Sequence, residues 1–461
     1  MSILAAFMVP HPPMIVPDVG RGSEKQILDT TKAYERVAEE VAALRPGTII
    51  LISPHSEMYA DYFHISPGKG ATGSFRRFRA PNVRFSETYD MELVRHICKI
   101  ADTEGFPAGT LGERDASLDH GTMVPLWFLR QKYANGKIVR IGLSGLPLAD
   151  HYRFGQMLSQ AVEETGRRAV LIASGDLSHK LQSYGPYGFA KEGPEYDRKI
   201  MNVCGRAAFD ELLAFDEAFC EKAAECGHRS FVIMAGALDG LSVKAMVLSH
   251  QDVTGVGYGI CTFYPEGKDE SRHFLQKYKE KMERECAKKA ESGDAFVKLA
   301  RASVEAWVLR KERISVPDGL PEEMLGRRAG TFVSLHRYGR LRGCIGTILP
   351  TQRNIAEEIL QNAVSACSRD PRFNPVTADE LSGLEISVDV LGELEPIDSP
   401  DELDVKRYGV VVSHGRKRGR LLPNLDGVDT VEDQIRIARQ KGGIREEEPY
   451  RLQRFEVVRH V

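Results

Sequence analysis

Short apolar runs that favour β-strands alternate with helical patterns through the first part of the chain. Between the first two runs, apolar side chains recur at helical spacing over residues 27–44. Strands that alternate with helices form a largely parallel or mixed sheet with helices on both faces. The sequence therefore predicts an α/β domain over residues 1–265. Its strand-like runs are residues 4–9, 48–53, 138–143, 169–174, 243–248 and 255–263.

The rest of the chain follows a different pattern. Residues 266–293 are strongly charged with one narrow apolar stripe, which indicates a solvent-exposed linker helix. Beyond residue 294, two strand-like runs at 331–336 and 341–348 are joined by a short turn, and an alternating apolar run follows at 384–390. Paired strands that are separated from helices predict an α+β domain over residues 294–461.

Composition restricts the partners and the compartment. The 461 residues carry a formal charge of −3, so no overall field attracts nucleic acid or an anionic membrane. No run of 18 apolar residues occurs, and the first residues lack the basic flank of a secretory signal. The eight cysteines form no Cys-x-x-Cys pair, which favours reduced thiols. We therefore expect a cytoplasmic protein without nucleic-acid or membrane partners.

Histidines follow three of the predicted strands. His11 and His55 come just after the first and second runs, and His179 follows the run at 169–174. Because the carboxyl ends of strands gather at one edge of an α/β sheet, we expect these side chains to converge. Two imidazoles and one carboxylate leave open positions on a ferrous ion. The sequence thus predicts a metal centre on His11, His55 and a later carboxylate, for which Glu225 is our choice.

Further polar residues lie beside this predicted centre. His120 and His179 are candidates for proton transfer, because an imidazole titrates near neutral pH. Asp119 and Asp176 stand close in sequence to these histidines and could orient their rings. A helix cap or a turn is an equal alternative for both aspartates.

Four short segments carry a family resemblance: Pro-His-Pro-Pro at 10–13, Pro-His-Ser at 54–56, Leu-Asp-His-Gly at 118–121 and Asp-Leu-Ser-His at 176–179. In order along residues 1–265, they resemble the signatures of class III extradiol ring-cleavage dioxygenases, the LigB-like superfamily. The resemblance implies non-haem Fe(II) on His11, His55 and Glu225, with His179 as acid/base and His120 positioning substrate or oxygen. It also implies a catechol-type small aromatic substrate and dioxygen.

A second resemblance concerns the third ligand. Cys226 and Gly227 resemble the Cys-Gly element of MEMO proteins, in which a cysteine takes the place of the carboxylate. A sulfur ligand favours zinc or copper over iron. The alternative function is then a MEMO-like metal-binding protein without dioxygenase activity.

Three motifs stand out in the last domain: Leu-Arg-Gly-Cys-Ile-Gly at 341–346, Asp-Pro-Arg-Phe at 370–373 and Leu-Pro-Asn at 422–424. Through them, residues 294–461 resemble the AMMECR family. That family occurs beside MEMO-like and radical-SAM proteins in AmmeMemoRadiSam modification systems, which implies a radical-SAM partner protein. Within the domain, Cys344 is either a reactive thiol or a small buried side chain, and we predict a structural role. Arg342 is predicted to contact a ligand in a groove.

Overall fold

The computed structural model describes residues 3–425 and 427–461. The chain divides into two compact units, Met1–Tyr278 and Lys279–Val461. This division falls inside the helix Phe274–Ser292, which begins after the segment 266–273 of the predicted linker. Within the described ranges, no helix is both long and apolar enough to cross a membrane.

The strands of the first unit form one main sheet and two small ribbons. The main sheet has the order β7-β2-β8-β1-β10-β9. In chain order the strands are β1 (Ile3–Val9), β2 (Thr48–Ile52), β3 (Phe63–His64), β4 (Gly70–Phe75), β5 (Ala80–Thr88), β6 (Ala108–Gly109), β7 (Lys137–Ile141), β8 (Ala169–Ser174), β9 (Leu241–Gln251) and β10 (Tyr258–Lys268).

The main sheet is mixed and mostly parallel. Strand β2 pairs in parallel with β7 and β8, and β8 pairs in parallel with β1. Strands β10 and β9 complete the sheet in antiparallel orientation. The predicted α/β class is therefore confirmed, although β10 continues to Lys268, beyond the predicted domain end at residue 265.

Both faces of the main sheet are covered. Along β1, Ala6 and Met8 belong to one apolar core, whereas Phe7 and Val9 belong to another. Successive side chains of a strand point to opposite faces, so this alternation places one core on each side of the sheet. A strand buried on both faces has the continuous apolar run seen in the sequence.

Helices of the first unit connect these strands. In chain order they are α1 (Pro17–Gly20), α2 (Leu28–Leu44), α3 (Met91–Thr103), α4 (His120–Lys132), α5 (Leu148–Glu164), α6 (Glu192–Gly205), α7 (Phe209–Leu212), α8 (Glu217–Ala223) and α9 (His228–Ala237), and α10 (Phe274–Ser292) crosses into the second unit. Short 3-10 helices lie at Pro13–Ile15, Ser23–Ile27, Arg76–Phe78 and Glu270–Arg272.

One hairpin of the first unit was not predicted. Strands β4 and β5 pair in antiparallel fashion, and the 3-10 turn Arg76–Phe78 joins them. Their residues alternate between exposed and partly buried, without a strong apolar run. The hairpin forms one wall of a cavity that His55 and His120 also line.

The second unit is an antiparallel sheet with helices packed on it, which confirms the predicted α+β class. Its strand order is β12-β11-β13-β17-β15-β16, and β14 pairs with β17. The strands are β11 (Thr331–Arg337), β12 (Arg340–Gly346), β13 (Leu384–Leu391), β14 (Glu395–Ile397), β15 (Tyr408–His414), β16 (Lys417–Leu421) and β17 (Arg451–His460). The helices are α11 (Ala295–Arg310), α12 (Glu322–Gly326), α13 (Ile355–Ser368) and α14 (Val431–Lys441), with 3-10 turns at Ala378–Gly383 and Pro400–Glu402.

Candidate metal centre

Three neighbouring parallel strands end at the same edge of the main sheet. Strand β8 lies between β2 and β1, so its last residue, Ser174, is flanked by the segments that carry His55 and His11. The chain leaves β1 through Pro10 and β2 through Ser53 and Pro54 before it reaches these histidines. The order of the strands thus brings together side chains that are far apart in sequence.

The ligand atoms of His11, His55 and Cys226 form one compact group. The Nε2 atoms of the two histidines are 3.0 Å apart, and Cys226 Sγ lies 3.6 Å from His11 Nε2. All three ligand atoms lie within 4.8 Å of one another. Around a tetrahedral zinc ion, two nitrogens are about 3.3 Å apart and a nitrogen and a sulfur about 3.5 Å. The donor set therefore fits a single metal ion.

Ser174 fixes the tautomer of His11, that is, which ring nitrogen carries the proton. The serine hydroxyl donates its only proton to the carbonyl of Gly121, at 2.7 Å. Its oxygen, 2.9 Å from His11 Nδ1, must therefore accept a hydrogen bond from that nitrogen. The lone pair of the His11 ring is then on Nε2, the atom that faces His55 and Cys226. Burial, together with the nearby His55, His120 and His179, lowers the pKa of His11 well below its usual value, which keeps the ring neutral.

We expect Ser174→Ala to weaken metal binding about tenfold to a hundredfold. The substitution removes the acceptor that orients His11, and loss of such an outer partner has this typical cost. Competition with a coloured chelator measures the affinity. Ser230→Ala is the matched control, since the buried Ser230 hydroxyl has no hydrogen-bond partner among residues 3–425 and 427–461. Equal affinities for the two variants would contradict the assigned role of Ser174.

Cys226, and not Glu225, is brought next to the two histidines. Gly227 packs against Gly175 so closely that a Cβ atom on Gly175 would lie 2.1 Å from Gly227 Cα. This approach holds the loop against the end of β8, where the Asp176 amide donates to Cys226 Sγ at 3.3 Å. A side chain in place of either hydrogen would push Cys226 away from the centre.

Glu225 is engaged at the start of α9. Its Oε2 accepts a hydrogen bond of 2.6 Å from the amide of His228. Burial raises the pKa of Glu225 to about 7, although the hydrogen bond from His228 and the charge of Arg229 oppose the rise. The carboxylate expected to complete a facial triad thus caps a helix, and the neighbouring thiol occupies the position beside the histidines. Burial also raises the pKa of that thiol well above its usual value.

The two aspartates predicted near the histidines contact the site through backbone and hydroxyl groups. Asp176 Oδ1 accepts the amide proton of His11 at 2.7 Å, and its Oδ2 lies 4.0 Å from His11 Nε2. Asp119 caps α4 by accepting from the Thr122 amide. It also accepts a hydrogen bond from the Ser53 hydroxyl at 2.6 Å. The oxygen of that hydroxyl in turn accepts a hydrogen bond from the His55 amide. Asp119 is therefore a helix cap that supports the His55 loop.

His120 and His179 complete a cluster of four imidazoles. The ring of His120 stacks on that of His55 with centroids 4.0 Å apart, and the ring of His179 stacks on Tyr187 at 5.0 Å. Burial and the neighbouring His55 lower the pKa of His120 and of His179 to about 4. Both rings are thus neutral at physiological pH and can accept a proton.

A cavity of about 1090 Å³ opens onto this cluster. His55 and His120 lie on its wall, and the β4–β5 hairpin forms the opposite side. Its volume is slightly above the range of about 300–1,000 Å³ that is typical for small-molecule pockets. A ligand in the cavity would therefore contact two of the four imidazoles.

In the second unit, the Arg342 side chain is bound by other groups of the protein. Its guanidinium donates two hydrogen bonds of 2.8 Å to the carboxylate of Glu380 and a third, of 2.9 Å, to the carbonyl of Asn374. These contacts hold β12 to the 3-10 turn Ala378–Gly383, so the donors expected to bind a ligand are already used. The Cys344 sulfur accepts from the Ser334 hydroxyl at 3.2 Å, and the Cys344 amide donates to Asp370 at 2.8 Å.

We expect Glu380→Ala to destabilise the second unit by about 3 kcal/mol, because it leaves the largely buried Arg342 without its partner. Burial alone would raise the pKa of Glu380, but hydrogen bonds from Arg342 and Thr377 and the charges of Arg342 and Arg337 lower it. A carboxyl group whose pKa is lowered by folding stabilises the fold above its unfolded pKa, about 4.3. This contribution is lost as the pH falls through the lowered folded value.

Urea unfolding of the full chain at pH 7 and at acid pH measures this contribution, with hydrogen exchange in residues 331–391 as the local readout. Glu323→Ala is the control, because Glu323 forms an exposed ion pair of 2.8 Å with Arg327, just beyond the end of α12, and its loss should change little. An unchanged midpoint for Glu380→Ala would show that the ion pair adds nothing to the fold.

Several residues at the centre were not singled out from the sequence. Ser174 and Ser53 read as the ends of apolar strands, and only the hydrogen bonds of the folded chain reveal what they hold. Arg140 offered a stronger signal, since a charged residue inside the apolar run at 138–143 is unusual for a strand buried on both faces. Its side chain lies 3.2 Å from Asp119 at the wall of the cavity.

An α/β sheet with histidines at the carboxyl edge of its parallel strands, followed by an antiparallel α+β unit, defines a class of two-domain proteins. The family model described as the catalytic LigB subunit of aromatic ring-opening dioxygenase matches residues 5–261. The AMMECR1 family model matches residues 297–460. The chain therefore belongs to the LigB family, through its first domain, and carries a C-terminal AMMECR1 domain.

Similar proteins match the whole chain or about a third of it. A protein of Clostridium acetobutylicum is 42% identical over 468 aligned residues, which cover 100% of this chain and 99% of that protein. A protein of Thermotoga maritima is 48% identical over 167 residues, 36% of this chain and 96% of its own length. A crystal structure of a Pyrococcus horikoshii protein, 29% identical, covers 37% of this chain and 91% of its own with a TM-score of 0.34.

Proposed function

We propose that the first domain is a MEMO-like metal-binding module in which His11, His55 and Cys226 hold one transition-metal ion. The observation that carries this proposal is the position of Cys226 Sγ, 3.6 Å from His11 Nε2, while the Glu225 carboxylate caps α9. Two imidazoles and one thiolate suit copper or zinc better than ferrous iron. Three protein ligands leave a further position for a substrate or a water molecule.

The bound ion would supply Lewis acidity, as zinc does, or electron transfer, as copper does. The surrounding residues prepare the site for either role. Ser174 presents the lone pair of His11, and the Asp176 amide hydrogen-bonds the Cys226 sulfur, an interaction that favours the ligating thiolate. His120 and His179 flank the site as neutral imidazoles that can accept protons from a bound molecule.

We expect Cys226→Ala to lower metal affinity at least a hundredfold, because it removes one of three donors, and an outer partner alone is typically worth ten- to a hundredfold. Glu225→Gln is the matched variant: the amide oxygen can still accept from the His228 amide, so the cap and the metal should both be kept. Elemental analysis of anaerobically purified full-length protein and chelator competition measure the two variants. Metal loss in Glu225→Gln combined with retention in Cys226→Ala would overturn the thiolate assignment.

A second candidate is an extradiol ring-cleavage dioxygenase that uses Fe(II) and dioxygen on a catechol-type aromatic. It is favoured by the cluster of four imidazoles, two of which line a cavity large enough for an aromatic ring. Oxygen uptake by the iron-loaded chain with a panel of catechols separates the candidates. Uptake with a yellow ring-opened product supports the dioxygenase, whereas copper or zinc without uptake supports the MEMO-like module.

The partners and the compartment are part of the same proposal. A MEMO-like module fused to an AMMECR1 domain would act with a radical-SAM partner protein in a modification system. The eight cysteines are all free thiols, which suits a reducing, cytoplasmic environment.

A further inference from the structure

The cavity beside the metal centre has an arginine-rich wall. Arg140 projects from β7, Arg76 and Arg77 lie on the turn between β4 and β5, and Arg84 lies on β5. Three carboxylates, Glu57, Asp115 and Asp119, also line the cavity. Four positive and three negative side chains give a net charge of +1 while the histidines are neutral.

The carboxylates of this wall are already engaged. Glu57 Oε1 accepts from the amides of Arg114 and Asp115, at 2.8 and 2.7 Å. Asp115 accepts from the amide of Ser117 at 2.9 Å, and only the distant contact of 3.9 Å joins it to Arg77. Local amides thus hold Glu57 Oε1 and Asp115 Oδ1 in place, and the wall keeps its net charge of +1.

Arg140 is the inner positive group of the wall. The residue is 2% exposed, and a guanidinium stays charged even when buried. Its Nε and Nη1 atoms make no hydrogen bond to any residue in the ranges 3–425 and 427–461. Asp119 Oδ2 lies 3.2 Å from Nε, but its oxygens also accept from the Ser53 hydroxyl and from Thr122. Nη1 is thus a buried donor without a partner in these ranges, which is costly, and two oxygens of one anion suit the guanidinium fork.

We propose that this cavity binds an oxyanion, a carboxylate or phosphate group of the substrate, with Arg140 as the inner contact. Arg76, Arg77 and Arg84 attract the anion at the mouth, where they are largely exposed. The rest of the substrate then extends toward His55 and His120. The inference rests on the proposed function for the metal beside the cavity, but anion binding itself requires no metal.

Calorimetric titration of the metal-free full-length chain tests the proposal with three probes: inorganic phosphate, benzoate and the neutral benzamide. We expect phosphate or benzoate to bind, benzamide to bind at least tenfold more weakly than benzoate, and the affinity for the anions to fall with added salt. Tighter binding of phosphate than of benzoate would assign the anion as a phosphate, and the reverse would assign a carboxylate. Absence of binding by both anions, or benzamide binding as tight as that of the better-bound anion, would overturn the proposal.

Variants locate the site. Arg140→Gln should weaken anion binding about tenfold to a hundredfold, the usual range for a hydrogen bond to a charged group. Arg153→Gln is the matched control, because Arg153 is half-buried on α5 and pairs with Glu104 at 2.9 Å. Should Arg140→Gln fail to fold, Arg140→Lys and the exposed pair Arg76→Gln/Arg77→Gln provide the test, and both should bind more weakly. Wild-type affinity in all folded variants would overturn the assignment.

The metal content of the same preparations keeps the two proposals apart. Anion binding by a chain that takes up no metal would support the oxyanion site and contradict the metal module. A chain that binds metal on His11, His55 and Cys226 but no anion would support the metal module and contradict the oxyanion site.

Discussion

Replacement of His11 by alanine should leave the chain without stoichiometric metal. His11 Nε2 lies nearest to both other donors, 3.0 Å from His55 Nε2 and 3.6 Å from Cys226 Sγ. Removal of a direct ligand should cost more than loss of an outer partner, which is typically worth ten- to a hundredfold in affinity. We therefore expect at least a hundredfold weaker binding, measured by elemental analysis after anaerobic purification and by chelator competition.

His96→Ala serves as the control for the His11 variant. His96 lies on the outer face of α3 and pairs with Glu164 at 2.5 Å, so its loss should not change the metal content. Circular dichroism of both variants would show whether the fold is kept. One metal ion per chain retained in a folded His11→Ala protein would end the assignment of this centre.

Replacement of His179 by alanine should reduce turnover about 10² to 10⁴-fold while the metal is kept. This expectation belongs to the dioxygenase candidate, in which His179 moves a proton to or from the substrate, and general acid/base catalysis has this typical size. The ring is held by stacking on Tyr187, and burial together with His55 lowers its pKa to about 4, so it is a neutral acceptor at pH 7. Oxygen uptake at saturating substrate gives the rate, and elemental analysis gives the metal content.

Tyr187→Phe is the matched variant for His179. It keeps the aromatic ring that stacks on the imidazole and removes only an exposed hydroxyl, so its turnover should stay near that of the parent chain. Metal loss in His179→Ala would instead make His179 a ligand. Unchanged turnover in that variant would remove His179 from the proton-transfer step.

The classes of both domains could be predicted from the sequence because their burial patterns differ. A parallel strand covered on both faces needs an unbroken apolar run, as in β1, β2 and β8, whereas β13 alternates because one face is less buried. The β4–β5 hairpin lacks either pattern, since its residues are mostly partly exposed, and it could not be predicted in this way. The cavity wall it forms was therefore missed as well.

The choice between Glu225 and Cys226 could not be made from the sequence. The two residues are adjacent, and either could supply the third donor. Two tertiary features decide the geometry: the contact of Gly175 with Gly227 holds the Cys226 sulfur beside β8, and the amide of His228 binds the Glu225 carboxylate at the start of α9. A helix needs a hydrogen-bond acceptor at its first amides, and this local demand directs the carboxylate away from the histidines.

Arg342 shows the same limit in the second domain. A strand arginine beside two glycines suggested a ligand contact, but a guanidinium binds any carboxylate that the fold places within reach, and here that carboxylate is Glu380.

The sequence by itself determined the fold classes and which strands end in histidines, because burial periodicity and residue order are local properties of the chain. Only the tertiary structure decided which donors face one another, because hydrogen-bond partners distant in sequence, such as Ser174 for His11, set the direction of each side chain.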